Sequence, residues 1–169
     1  IKDIIAGIFI VFESEFRVGD IVTINNFRGT VTDIGLRTTK ISGGGNVKIF
    51  NNSEISGVLN MTKETSVASA TIGLEYGQNI DYVEEVMTKE LPQLRDQCSA
   101  ILEGPTYNGV SELAERRFTV TVTARCSEHD VWAVNRFLNK SLLQIFDRNG
   151  IKIANQGAAK PVTPANTVK

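Results

Sequence analysis

The feature that most constrains the fold is a near-unbroken apolar run, Ile4-Ile5-Ala6-Gly7-Ile8-Phe9-Ile10-Val11-Phe12, leading without a turn signal into a β module. Glu13-Ser14-Glu15 closes the run, and Phe16-Arg17-Val18-Gly19-Asp20 opens a strand at Ile21–Ile24. As a helix, the nine residues of the run cover about 14 Å at roughly 1.5 Å each. A bilayer core is about 30 Å thick and takes about 20 apolar residues. The run therefore cannot span a membrane by itself. Periodicity leaves two readings open: the end of a spanning helix whose start lies upstream, or a core helix or strand of a soluble domain. The chain starts at Ile1 and not at Met, and it is expected to be cut from something longer. Asp3 precedes the run and no small-residue cleavage site follows it, which argues against a signal peptide.

At 169 residues the chain has room for one large domain or two small ones. Its formal net charge of -1 creates no global field that would attract phosphate backbones or anionic lipid. The two cysteines, Cys98 and Cys126, lie far apart without ligand spacing, and are expected to be small buried hydrophobes in a reducing compartment. His129 is the one histidine, so zinc sites and Ser-His or Cys-His pairs lack partners at usable spacing. Its place in Ser127-Glu128-His129-Asp130 predicts an exposed first-turn residue of a helix.

Residues 17–64 read as short strands between turn signals. Asn25-Asn26-Phe27-Arg28-Gly29 is expected to be the turn between Ile21–Ile24 and Thr30–Ile34. Gly35 predicts a bulge or bend, and Leu36–Ile41 a further strand. Ser42-Gly43-Gly44-Gly45-Asn46 reads as a hairpin loop before Val47–Phe50. Asn51–Ile55 suits one capped helical turn, with Asn52 in it, and Gly57–Met61 a closing strand. Five short strands with a helical turn before the last predict a small, strongly bent barrel of Sm or SH3 type.

The pattern changes after the polar joint Lys63-Glu64-Thr65-Ser66. Val67–Leu74 is strand-like. Asp81 reads as a helix N-cap with Glu84 completing a capping box, and Val83, Val86, Met87 and Leu91 follow at helical spacing. Pro92 is expected to end or kink that helix, with a short continuation possible through Leu94 to Cys98. Tyr107–Glu115 can form a strand. Phe118–Arg125 alternates completely between apolar and polar, so one face is buried. Asp130–Phe146 carries a stripe of Val131, Val134, Leu138, Leu142 and Ile145, with Trp132 off it. Gly150 stands where a helix ends, and Ile151–Ile153 reads as a last short strand. The order β-α-β-β-α-β is that of the ferredoxin-like arrangement. The fold class expected is therefore α+β. Residues 158–169, rich in Ala, Pro, Thr and Asn, are expected to be a flexible tail.

Catalytic chemistry finds little support. Gly43-Gly44-Gly45 lacks the strand-to-helix context and Lys-Ser/Thr of a phosphate loop. Asp81, Glu84, Glu85 and Lys89 read as a solvated helix face, with Glu85 paired to Lys89. Arg116-Arg117 reads as a polar turn. Acylphosphatase chemistry needs an Arg cradle and a water-orienting Asn on a shared loop, which is not found. The chain is read as no enzyme, with no cofactor and no metal site. RNA-binding sheets of the ferredoxin-like kind display stacked aromatics, whereas the open face here presents Thr119, Thr121, Thr123 and Arg125. An Sm-like RNA-binding or scaffold module is the alternative reading, and nucleic acid is not the expected partner.

Residues 4–24 and 28–60 resemble the small-conductance mechanosensitive channel family of bacteria and archaea. The resemblance is carried by Ala6-Gly7-Ile8, Phe16-Arg17-Val18-Gly19-Asp20, Gly29-Thr30-Val31 with Ile34, and Val47-Lys48-Ile49-Phe50-Asn51-Asn52-Ser53-Glu54-Ile55. The later residues resemble that family's α/β domain, with Trp132 in the second helix and Asn149-Gly150-Ile151 at its end. It covers about residues 1–157. Asn51 stands where many members have Pro, and Ile153-Ala154-Asn155-Gln156 where many have an aromatic and a proline.

The resemblance implies that residues 1–16 end a pore-lining transmembrane helix, lying near the membrane face after a kink. Residues 17–64 would be the Sm-like β domain and 65–157 the ferredoxin-like domain of a homo-heptameric cytosolic cage. The parent would be a multi-pass protein of the inner membrane, touching lipid through transmembrane helices outside this chain. It would open under membrane tension and release ions and osmolytes on hypoosmotic shock. Ala6 and Gly7 would serve close helix approach or a bend, Phe16, Gly19 and Asp20 the joint between helix and barrel, and Gly29 and Asn52 the turns of the β domain.

Overall fold

The computed structural model describes residues 1–154 and has a mixed α+β architecture. The expected tail, 158–169, lies outside the described residues. The first element is helix α1, Lys2–Glu13. It is not a core helix. Ile5, Ile8, Phe9, Val11 and Phe12 are exposed, Phe12 at 85%, and Gly7 is its one buried residue. The helix is continuous through Ala6 and Gly7. No helix among the described residues is long and apolar enough to cross a membrane.

Strands β1 (Ile21–Ile24), β2 (Phe27–Ile34), β3 (Thr38–Gly43), β4 (Asn46–Asn51) and β5 (Val58–Asn60) follow. They form one antiparallel sheet in the order β4-β3-β2-β1-β5. The β1–β2 turn is shorter than the sequence suggests. Asn25 and Asn26 both take positive φ, 47° and 63°, so Ile24 pairs directly with Phe27. Two left-handed residues match the twist of a tight hairpin, and Asn tolerates that conformation. Gly29 is consequently not a turn residue but a strand residue opposite Val22. A bulge falls between Val31 and Asp33, while Gly35, Leu36 and Arg37 form the bend before β3. A single 3-10 turn, Asn52–Glu54, separates β4 from β5. The sheet wraps a core of Phe16, Val22, Ile24, Val31, Ile41 and Phe50.

The second unit contains β6 (Ser66–Glu75), α2 (Ile80–Gln97), β7 (Glu103–Leu113), β8 (Arg117–Cys126) and α3 (Val131–Arg148). Its sheet runs β6-β8-β7, all antiparallel. Residues 151–153 add one bridge, Leu74 to Ile153, rather than the expected strand. The alternation of β8 places Phe118, Val120, Val122, Ala124 and Cys126 on the buried face. Ala68, Ala70, Ile72 and Leu74 of β6 join them, and both helices cover that face. Thr119, assigned to the wet face by pattern, is itself only 6% exposed. Each large apolar side chain buried here contributes about 1.5–3 kcal/mol.

Four local expectations need correction. The cap of α2 is Asn79, not Asp81: its side-chain oxygen accepts from the Asp81 and Tyr82 N–H groups. Pro92 does not end the helix, because Leu91 and Leu94 bury on either side of it while Pro92 faces solvent. Strand β7 starts earlier than Tyr107 and carries three irregularities in its pairing with β8, which scramble its alternation. Glu85 and Lys89 form no ion pair; a Glu90–Arg148 pair instead joins α2 to α3. The thiols of Cys98 and Cys126 are free, and Trp132 is 67% exposed.

Candidate functional site: the joint between helix and sheet

Helix α1 ends at Ser14, which takes a left-handed conformation and returns its N–H to the Ile10 carbonyl at 3.2 Å. The chain then drops Phe16 into the first core, where it is 2% exposed. Gly19 follows at φ +98°, a value that L side chains rarely adopt. Its N–H donates to the Val31 carbonyl at 2.8 Å, and the Val31 N–H donates to the Asp20 carbonyl at 2.8 Å. The joint is thereby laced to β2.

The Asp20 carboxylate closes the turn. It accepts from the Arg17 N–H at 3.0 Å and from Asn60 Nδ2 at 2.8 Å. The same Asn60 amide donates to the Glu15 carbonyl at 3.1 Å. Asn60 Oδ1 in turn accepts from the Thr62 N–H and hydroxyl, at 3.0 and 2.9 Å. Burial by itself would raise the Asp20 pKa. Hydrogen bonds from Asn60, the Arg17 N–H and Thr62, with the Arg17 charge, outweigh it and hold the carboxyl below its usual value. One polar network thus binds the helix exit, the start of β1 and the end of β5.

A second contact seats the helix itself. Gly7 lies against the bend after β2 and the 3-10 turn. A Cβ there would stand 2.5 Å from Asn52 Nδ2 and 2.6 Å from the Leu36 carbonyl oxygen, so only glycine fits without displacement. Asn52 is buried and cannot yield: its Nδ2 donates to the Gly35 carbonyl at 3.0 Å, and its Oδ1 accepts from Thr39 Oγ1 at 2.8 Å. One turn earlier, the Asp3 carboxylate accepts from the Ser53 hydroxyl and, at 3.3 Å, from the Ser53 N–H. Between helix and bend runs an apolar groove whose lining includes Ile8, Val11, Phe12, Ile34 and Leu36.

The residues singled out from sequence fall into two groups. Phe16, Gly19 and Asp20 come together at the helix exit. Gly7 and Asn52 come together at the helix seat, with half-buried Ala6 beside them. Gly29 belongs to neither, being held in β2 by its close approach to β3. Sequence reasoning missed Asn60, Ser53 and the role of Asp3. Asp3 was visible as the charge at the head of the apolar run, whereas nothing in the local pattern distinguishes Asn60 from other strand-end residues.

A family model described as the mechanosensitive ion channel beta-domain matches residues 1–63. A second, described as the C-terminal part of the mechanosensitive ion channel MscS, matches residues 68–153. The small-conductance mechanosensitive channel of Caldanaerobacter subterraneus subsp. tengcongensis is 35% identical over 152 residues, covering 89% of this chain and 54% of the relative. The chain thus spans about half of that relative's length. Among solved structures, the closed-state crystal structure of Helicobacter pylori MscS aligns with a TM-score of 0.74 at 18% identity, covering 96% of this chain and 65% of that one. The cryo-EM structure of Arabidopsis thaliana MSL1 aligns at 0.69 and 18% identity, covering 92% and 58%. These structural likenesses speak to fold.

Proposed function

The chain belongs to the mechanosensitive ion channel family, of MscS type, and on that premise we propose that it is the cytosolic vestibule portion of a tension-gated channel. In this reading the parent protein sits in the inner membrane, assembles as a homo-heptamer and releases ions and osmolytes under membrane tension. Residues 1–16 end the pore-lining helix, 17–64 form an Sm- or SH3-like barrel, and 65–157 a ferredoxin-like domain. Transmembrane helices outside this chain contact lipid. The strand orders β4-β3-β2-β1-β5 and β6-β8-β7, with the Leu74–Ile153 bridge beyond β6, support the two domain assignments.

The observation that carries the proposal is the state of α1. It is apolar and exposed along most of its length, yet seated on the sheet at Asp3, Gly7 and Phe16. A helix of that kind suits a transmitter better than a core element: its open face is free for a pore and its underside grips the cage. Phe16, Gly19 and Asp20 then pass movement between pore and cage, while Gly7 and Asn52 set how closely the helix rides.

The test is patch-clamp recording of the full-length channel. Gly19→Val and Gly7→Val are each expected to shift the tension threshold from wild type. Wild-type thresholds in both, with normal surface expression, would count against the joint as transmitter.

A further inference from the structure

The two hydrophobic cores share no residue. Chain continuity between them is the short stretch Met61–Thr65. Its near end is tied to the first sheet, the Met61 N–H donating to the Ile21 carbonyl at 2.9 Å. Its far end is tied to the second, Arg125 donating to Thr65 Oγ1 at 2.8 Å. Thr62, bonded to Asn60, and Lys63, paired with Glu15 at 3.5 Å, are held to the first unit as well, so the segment joining the separate cores has the form of a short hinge. Among the described residues, one ion pair crosses from unit to unit: Arg28 of β2 with Glu128 of the 3-10 turn Glu128–Asp130 before α3. Arg28 lies along the linker, its Nε donating to Met61 Sδ at 3.4 Å. Glu128 also accepts from the Ser66 hydroxyl at the start of β6.

The exposures of the two partners differ. Glu128 is 8% exposed and Arg28 46%. A carboxylate so far withdrawn from water depends on its counter-charge, whereas the guanidinium can be rehydrated where it stands. We infer that Arg28 and Glu128 form the latch of an interdomain hinge, holding the two units in one arrangement and freeing them to turn about Met61–Thr65 when the pair is broken. The inference stands on the two cores and the pair, and does not depend on the channel reading.

Lys63 supplies the readout. It is an exposed trypsin site inside the hinge. Cleavage after Lys63 is followed by mass spectrometry in the full 169-residue chain, with circular dichroism recorded in parallel. Arg28→Gln and Glu128→Gln are each expected to speed that cleavage about tenfold, the factor a charge-assisted hydrogen bond supports. The double variant is expected to be no faster than either single one, since both remove the same contact. Cleavage of Arg28→Gln at the wild-type rate overturns the latch, and so do single effects that multiply in the double variant. If Glu128→Gln fails to fold, Arg28→Gln, altered at a half-exposed position, decides alone by the same criterion.

Discussion

Asp20 shows how much one side chain can hold at a joint. Its carboxylate is the acceptor that joins the helix exit to β5, and its hydrogen bonds favour the ionised form. Because the folded-state pKa lies below the ordinary 3.8, the stabilisation is complete above the unfolded value and lost as pH falls through the folded one. Asp20→Asn is therefore expected to lower the urea midpoint by a constant amount above about pH 5, the gap closing at more acidic pH. Equal gaps at pH 7 and in strong acid would contradict this. Gly29 makes a different demand. A Cβ there would meet the Ser42 carbonyl oxygen at 2.4 Å and Ile41 Cγ2 at 2.7 Å. Neither is the end of a flexible chain, so β3 must move. Gly29→Ala is expected to cost about 1–3 kcal/mol in thermal unfolding, as overpacking does.

At the scale of elements, α1 and α2 owe their form to different causes. An isolated helix of 12 residues is marginal in water, so α1 depends on its seat. Asp3→Ala removes the Ser53 contacts and is expected to raise amide exchange across residues 4–12 by up to about tenfold, leaving β6 and β8 unchanged. Equal exchange in variant and wild type would show that Gly7 and Phe16 hold the helix without Asp3. Helix α2 instead survives an internal proline because its buried stripe outweighs a missing hydrogen bond. Pro92→Ala is expected to stabilise the chain, by up to about 3 kcal/mol, measured as a higher midpoint in denaturant. Unchanged stability would mean that the proline ring itself packs usefully.

Alternation marked β8 and helical spacing marked α2 and α3, because each lies half against a single core and half against solvent. The turn at Asn25-Asn26, the irregular β7 and the cap at Asn79 were less legible. Each depends on backbone conformation or pairing that several sequences satisfy equally. At the joint, Phe16, Gly19 and Asp20 stood out in a compact stretch, whereas Asn60 reaches it only through the pairing of β5 with β1, and Ser53 reaches Asp3 only through the 3-10 turn after β4.

At the scale of the whole molecule, β4 and β5 are the edge strands of the first sheet, and neither pairs further among the described residues. Val47 and Ile49 on β4 and Leu59 on β5 are exposed. Exposed apolar edges are a liability unless another chain covers them. In the proposed ring, neighbouring copies supply that cover. The full-length protein in detergent is expected to scatter light as a homo-oligomer, with Val47→Lys/Ile49→Lys shifting it toward smaller species. An unchanged mass in that double variant would remove β4 from the subunit contact.

The amino-acid sequence by itself determined the partition into an apolar helix, a strand-rich unit and a helix-and-strand unit. Periodicity and turn residues are local properties, and a linear reading retains them. Whether the apolar run was core or seated on the surface was decided only in three dimensions. That question turned on whether Gly7 could approach Asn52 and Leu36, and on where Asp3 found a donor. Such contacts join residues dozens of positions apart, and no local spacing encodes the distance between them.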